Sequence, residues 1–149
     1  VDQPLVSRWW DWLTSALQGD FGESSVMRQP VADVIAERMG WSVLLAATAF
    51  LVAILLGTGL GVLAARKPGG WLDRCVSSVA YTLEAAPAFW LGLLAIWFFA
   101  LKLDVLPAGG LTDAASDVVT FGQVASHLVL PAAVLGISQL PWFFLYVRH

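Results

Sequence analysis

Residues 41–65 read WSVLLAATAFLVAILLGTGLGVLAA, and none of them carries a charge. The flanking charges are Arg38 on one side and Arg66 on the other. As a helix, 25 residues extend about 37 Å at 1.5 Å per residue. That exceeds the roughly 30 Å hydrocarbon core of a bilayer, so the stretch predicts a membrane-spanning helix with some tilt. Gly57 and Gly61 stand four apart within it, on one face, where a second helix backbone can come close. Both are assigned to helix packing. The pattern is not a phosphate-binding loop, and GxxxxGK[ST] occurs nowhere in the chain.

The rest of the chain shares this bias. Of its 149 residues, 58% are hydrophobic and 13% charged, and the mean hydropathy is +0.75. Soluble domains carry about 25% charged residues, and one of this size has too small an interior to hide so much apolar surface. A bilayer accepts that surface as the outside of helices. A net charge of −3, with no basic patch, gives no footing to a nucleic-acid partner. Cys75 is the only cysteine, which excludes an internal disulfide. The chain opens on Val1 without a signal peptide's charged n-region or cleavage site, and it reads as a segment of a longer protein.

Upstream of the span, residues 1–41 hold nine of the charged residues. Leu5, Trp9, Leu13 and Leu17 recur at four-residue steps while Arg8, Asp11 and Gln18 lie off the stripe. This spacing predicts an amphipathic helix begun near Asp2 and Pro4 and stopped at Gly19. Its Trp9, Trp10 and Trp12 suit a membrane interface, where an indole keeps its N–H wet; packing on a neighbouring domain is the other reading. A turn at Gly19–Gly22 follows, then a short helix from Pro30 through Val31, Val34, Ile35 and Met39.

Downstream, Arg66-Lys67-Pro68-Gly69-Gly70 ends the span with two cations, a helix breaker and two glycines. A second apolar run, Cys75–Leu101, is interrupted by Glu84 and Pro87. Residues 102–126 form a polar connector with Asp104, Pro107, Gly109, Gly110, Asp113 and Asp117, and a third run, Leu128–Val147, contains Pro131 and Pro141. The reading is therefore an all-α, polytopic transmembrane bundle over 41–149, with spans at about 41–65, 75–101 and 128–147, preceded by an amphipathic segment over 1–40. Loop charge orients it. Arg66, Lys67 and Arg74 crowd the short loop 66–74, which also holds Asp73, and Arg148 closes the third run. The positive-inside rule puts those parts in the cytoplasm and segments 1–40 and 102–126 outside.

Sites for chemistry are few. Glu84 is the one acidic residue inside an apolar run, ten residues past Arg74, or about 15 Å along a helix. An ionisable group at that depth is costly and faces a bundle interior or a wet cavity. It either lines a solute pathway together with Pro87, or helps helices pack beside a kink at that proline. His127 and His149 lie a full span apart and cannot share a metal; His127 is read as interfacial. Ser138 has no histidine partner in a second motif. Paired carboxylates, CxxC motifs and metal-spaced histidines do not occur. The pattern argues against an enzyme, and no cofactor is expected in this chain.

Eight short motifs follow one another in an order that is itself informative. Asp2-Gln3-Pro4-Leu5 comes first, then Gly19-Asp20-Phe21-Gly22 with Ser24, and Pro30-Val31 through Ile35 with Glu37-Arg38. Gly57–Ala65 and Trp71-Leu72-Asp73-Arg74 come next. Pro87-x-Phe89-Trp90-Leu91-Gly92, Leu106-Pro107-Ala108-Gly109-Gly110 and His127-Leu128-Val129-Leu130-Pro131-Ala132 complete the series. In this order the chain resembles the inner-membrane permease subunits of the dipeptide, oligopeptide and nickel group of binding-protein-dependent ABC importers. The similarity runs over essentially all 149 residues.

The resemblance implies the ABC type I importer permease fold, a six-helix subunit in a bacterial or archaeal inner membrane with both ends cytoplasmic. It implies a second permease subunit, two ATPase subunits that bind ATP, and an extracytoplasmic solute-binding protein as partners. A first span would precede Val1; a coupling loop and two further spans would follow His149. The solute would be a peptide, or a related small solute such as a nickel chelate, moved by alternating access. Glu84, Pro87 and the Gly57–Gly61 face are the cavity-lining candidates. Two departures stand out: the group carries small or apolar residues where this chain reads Thr82-Leu83-Glu84-Ala85-Ala86, and an Ala-Thr pair where it reads Gly40-Trp41-Ser42. The alternative is a non-transporting membrane scaffold or assembly protein.

Overall fold

The computed structural model describes residues 4–110 and 119–149. Asp2 and Gln3, expected at the start of the first helix, lie outside the described residues, as do Asp113 and Asp117 of the connector. The chain divides into two compact units, Val1–Val43 and Leu44–His149.

In the first unit, helix α1 runs over Leu5–Leu17 with Pro4 at its N-cap. Gln18 caps the other end, and Gly19 follows at φ +88°, a left-handed conformation that costs glycine little and other residues more. No residue of α1 is buried. The turn after it is held by short side chains: Asp20 Oδ1 accepts the Gly22 amide at 2.9 Å, and Ser24 Oγ accepts that of Met27 at 3.1 Å. Backbone bonds from Ser24 N to Gln29 O and from Val31 N to Gly22 O, both 2.9 Å, close the loop.

Helix α2 then begins, and it ignores the boundary that the sequence suggests. The short helix expected over Pro30–Met39 and the span from Trp41 are one helix, Val31–Ala65, of 35 residues. Gly40 between them is exposed, with open space around it. A single helical glycine costs about 1 kcal/mol against alanine, too little to end a helix whose following turns are strongly apolar.

The second unit contains the end of α2 with α3 (Trp71–Ala85), α4 (Ala88–Ala95) and α5 (Phe121–Arg148). Helix α4 continues into wider π-helical turns over Ile96–Lys102. Residues 44–65 of α2 and α5 meet along a seam of small residues: Ala49, Ala53, Gly57, Gly61 and Ala64 are all buried. A methyl group at Gly57 would come within 2.6 Å of Phe143 Cβ and 3.0 Å of the Leu140 carbonyl oxygen. At Gly61 it would meet Val147 Cβ at 3.0 Å, and at Gly136 of α5 it would meet Val52 Cγ1 at 2.7 Å. Backbones this close gain dispersion and weak hydrogen bonding, which hold helices together where lipid removes the hydrophobic drive. Ala49 pairs with Gly136 and Gly61 with Val147, so the two helices run parallel. Helix α3 packs on α5, and Ala64, Ala80, Leu140 and Phe144 form the core where the three meet.

The run Cys75–Leu101 is not the single continuous span that hydropathy suggests. Helices α3 and α4 are bent from each other by 103°. The cause is local. Pro87 disfavours helical backbone in the residue before it, and Ala86 sits extended at φ −86°, ψ 129°. The helix restarts with Pro87 as N-cap, its carbonyl accepting from Trp90 N at 3.0 Å and Leu91 N at 3.2 Å. Two described helices, α2 and α5, are long and apolar enough to cross a membrane, and three crossings result if the bent pair counts as one. The pair has the form of a broken span or of a re-entrant loop.

Helix α5 starts earlier than its apolar run. Thr120 Oγ1 accepts the Gln123 amide at 3.4 Å and Gln123 Oε1 accepts that of Thr120 at 3.2 Å, a reciprocal capping box. Residues 121–126, expected in the connector, are its first turns. Pro131 and Pro141 lie inside the helix without ending it.

Candidate functional site

Helix α3 holds a carboxylate near each end. Asp73, in the first turn, is 2% exposed. Both its oxygens are engaged. Arg148 forks onto them, Nε donating to Oδ1 and Nη2 to Oδ2 at 3.0 Å. The Gly69 amide donates to Oδ2 at 2.8 Å and Ser77 Oγ to Oδ1 at 3.3 Å. Gly69 reaches that position at φ +74°. A buried charge needs such a set of partners, and the α3 N-terminus adds its dipole. Asp73 and Arg148 lie outside the apolar stretches 75–101 and 128–147. The Arg148 hydrogen bond, then the Gly69 amide, hold the Asp73 carboxyl down at about 2. The end of α2, the start of α3 and the end of α5 are thereby tied together. Of the four loop residues singled out in the sequence, only Asp73 enters this knot; Arg66, Lys67 and Arg74 remain exposed.

At the other end Glu84 continues the α3 stripe of Asp73, Ser77 and Ala80 at helical spacing, yet it is exposed. Its carboxylate has no hydrogen bond or ion pair among the described residues. With Trp142, Leu145, Tyr146 and His149 it lines an open cavity of about 320 Å³. The rings of Trp142 and Tyr146 stack there, 5.9 Å between centroids and 9° between planes. Pro87 is exposed three residues on, at the elbow. The Gly57–Gly61 face, by contrast, is covered by α5. That takes it out of the cavity lining.

A second cavity, of about 430 Å³, lies between α4, the loop Pro107–Gly110 and α5. His127 borders it, donating from Nδ1 to the Gly109 carbonyl at 3.1 Å, so the Pro-Ala-Gly-Gly turn and the His127 motif are two halves of one contact. Ser138 Oγ donates to its own helix at Leu135 O, 2.8 Å away. No group of three or more His, Cys, Asp or Glu gathers among the described residues. Sequence reasoning misses the Asp73–Arg148 pair. A signal for it exists, since loop charge places the basic segment 66–74 and Arg148 at the same end.

Residues 57–149 match the model of the family described as binding-protein-dependent transport system inner membrane component. A glutathione transport system permease protein of Escherichia coli (strain K12) is 36% identical over 136 residues, covering 91% of this chain and 41% of the relative. A putative peptide permease protein of Brucella suis biovar 1 is 33% identical over 149 residues, 99% of this chain and 46% of the relative. A putative peptide transport system permease protein of Brucella abortus is 35% identical over 140 residues, 94% and 44% respectively. The chain thus spans under half the length of these curated relatives. The seam, the knot and the bent helix pair all fall largely within the matched residues, and the chain belongs to the binding-protein-dependent transport system inner membrane component family of membrane permeases.

Proposed function

We propose that this chain is part of a permease subunit of an ABC importer for peptides or related small solutes such as nickel chelates. The observation that carries the reading is the family match over 57–149, joined to relatives named as peptide and glutathione permeases. Solute handed over by an extracytoplasmic binding protein enters between this subunit and a second permease subunit. Two ATPase subunits bind ATP and drive the alternating access. This chain binds no cofactor and performs no catalysis of its own.

In this reading loop 66–74 and the Arg148 end face the cytoplasm, and segments 1–40 and 102–126 face outside. The support is charge: Arg66, Lys67, Arg74 and Arg148 cluster at one end of the bundle. Exposed Arg66, Lys67 and Arg74 meet headgroups or partner subunits there. Glu84 and Pro87, exposed at the elbow, line the solute pathway, which is where an ionisable group in a spanning segment belongs. Uptake by cells carrying the full-length subunit with its cognate binding protein tests the whole reading. Loss of peptide uptake on deletion, restored by the gene in trans, is expected; unchanged uptake of every solute class would leave a membrane scaffold as the function.

A further inference from the structure

Residues 75–101 contain a single charge, Glu84. In an apolar run such a group is paired or faces water, and here it has no partner among the described residues. What it has is an environment. The cavity it lines is walled by Trp142, Leu145, Tyr146 and His149. Trp142 and Tyr146 are 65% and 77% exposed, so beyond the face that each ring turns to the other, much of their surface is open. His149 is the only other titratable group on the wall besides the Tyr146 phenol, and it makes no bond to Glu84.

A carboxylate beside an indole face and a phenol face is complementary to one ligand chemistry. The carboxylate supplies charge, and the rings attract a cation over their faces while their apolar bodies accept the carbon next to it. A strongly hydrated inorganic ion gains little from the rings, an anion is repelled, and a neutral solute meets only the rings. A compact organic ammonium satisfies all three walls. A peptide's free α-amino group is such a cation near neutral pH. We propose that Glu84, Trp142 and Tyr146 form a subsite for the ammonium group of the transported solute. The proposal rests on the permease reading above and adds to it the part of the solute that this chain recognises.

The test uses the full permease–ATPase complex in nanodiscs without the binding protein, so that only the membrane site selects. Calorimetric titration compares a dipeptide with its N-acetylated counterpart on the wild type, Glu84→Gln, Glu84→Asp and Trp142→Leu. The wild type should prefer the free amine by about tenfold, the worth of one charge-assisted contact. Glu84→Gln should erase that preference, Glu84→Asp should keep most of it, and Trp142→Leu should reduce it while the complex stays assembled on size exclusion. A wild type without preference, or one that binds neither peptide while the uptake assay succeeds, overturns the subsite alone. Equal weakening of both peptides by Glu84→Gln also overturns it, since the carboxylate then does not read the amine. Failure of peptide uptake by the wild-type assembly overturns the transport reading instead.

Discussion

The two ends of α3 treat a carboxylate in opposite ways. Asp73 is buried, and an arginine, a backbone amide and a hydroxyl take up its oxygens. Glu84 lies eleven residues on, along the same stripe, and nothing in the described chain bonds to it. The first arrangement fixes geometry, because a charge withdrawn from water is tolerated only while every partner stays in place. The second leaves a carboxylate exposed beside a bend, on the wall of an open cavity. The difference separates an acid held by its own chain from one that the described chain leaves open.

The comparison can be broken most severely at the tied end. Asp73→Asn should lose more folded protein than any substitution at the seam or at Glu84, since it strands the Arg148 guanidinium. Thermal unfolding in detergent measures it, and Arg148→Gln on top should cost much less than it does alone. A pH series sharpens the same point. The folded carboxyl titrates at about 2 against an ordinary 3.8, so its contribution is complete above pH 4. It is lost as pH falls towards 2. The acid limb of the stability curve should therefore flatten in Asp73→Asn; an unchanged limb would mean that the pair contributes nothing.

A smaller effect is expected at the seam beneath the knot. Gly57→Ala forces a methyl against Phe143 Cβ and should cost about 1–3 kcal/mol. Gly59→Ala, two residues away with open space around it, should be neutral or stabilising by up to about 1 kcal/mol. Equal unfolding temperatures for the two variants would refute the close approach of α2 and α5. The smallest effect belongs to the free end. Glu84→Gln should leave unfolding within about 0.5 kcal/mol of wild type, as for surface changes remote from any bonded network. A loss approaching that of Asp73→Asn would make Glu84 a second structural acid.

Much of this architecture is legible in the residues. The uncharged stretch 41–65 identifies α2 because length and apolarity alone decide whether a helix can span lipid. The four-residue stripe from Leu5 and the stop at Gly19 give α1 nearly to the residue. Other features depend on competition between local terms. Gly40 looks like a boundary, but its cost is small beside the helix it interrupts. The Thr120–Gln123 box is written in the sequence, yet the later start of the apolar run hides it. Glu84 and Pro87 are visible as interruptions, but a 103° bend cannot be told from a mild kink by spacing alone. The Asp73–Arg148 contact joins residues 75 apart, and no local pattern reports it.

The seam of α2 and α5 has a consequence for how such a protein can drift. On the outer face, Leu51 and Leu55 are more than half exposed, and one oily side chain there can stand in for another at little cost to packing. Gly57, Gly61 and Gly136 permit no such exchange, because each stands where a neighbour's atoms already occupy the space a side chain would need. Change is therefore channelled outward. The surface tolerates exchange, while three empty positions, defined by the absence of a side chain, set the spacing of the helices.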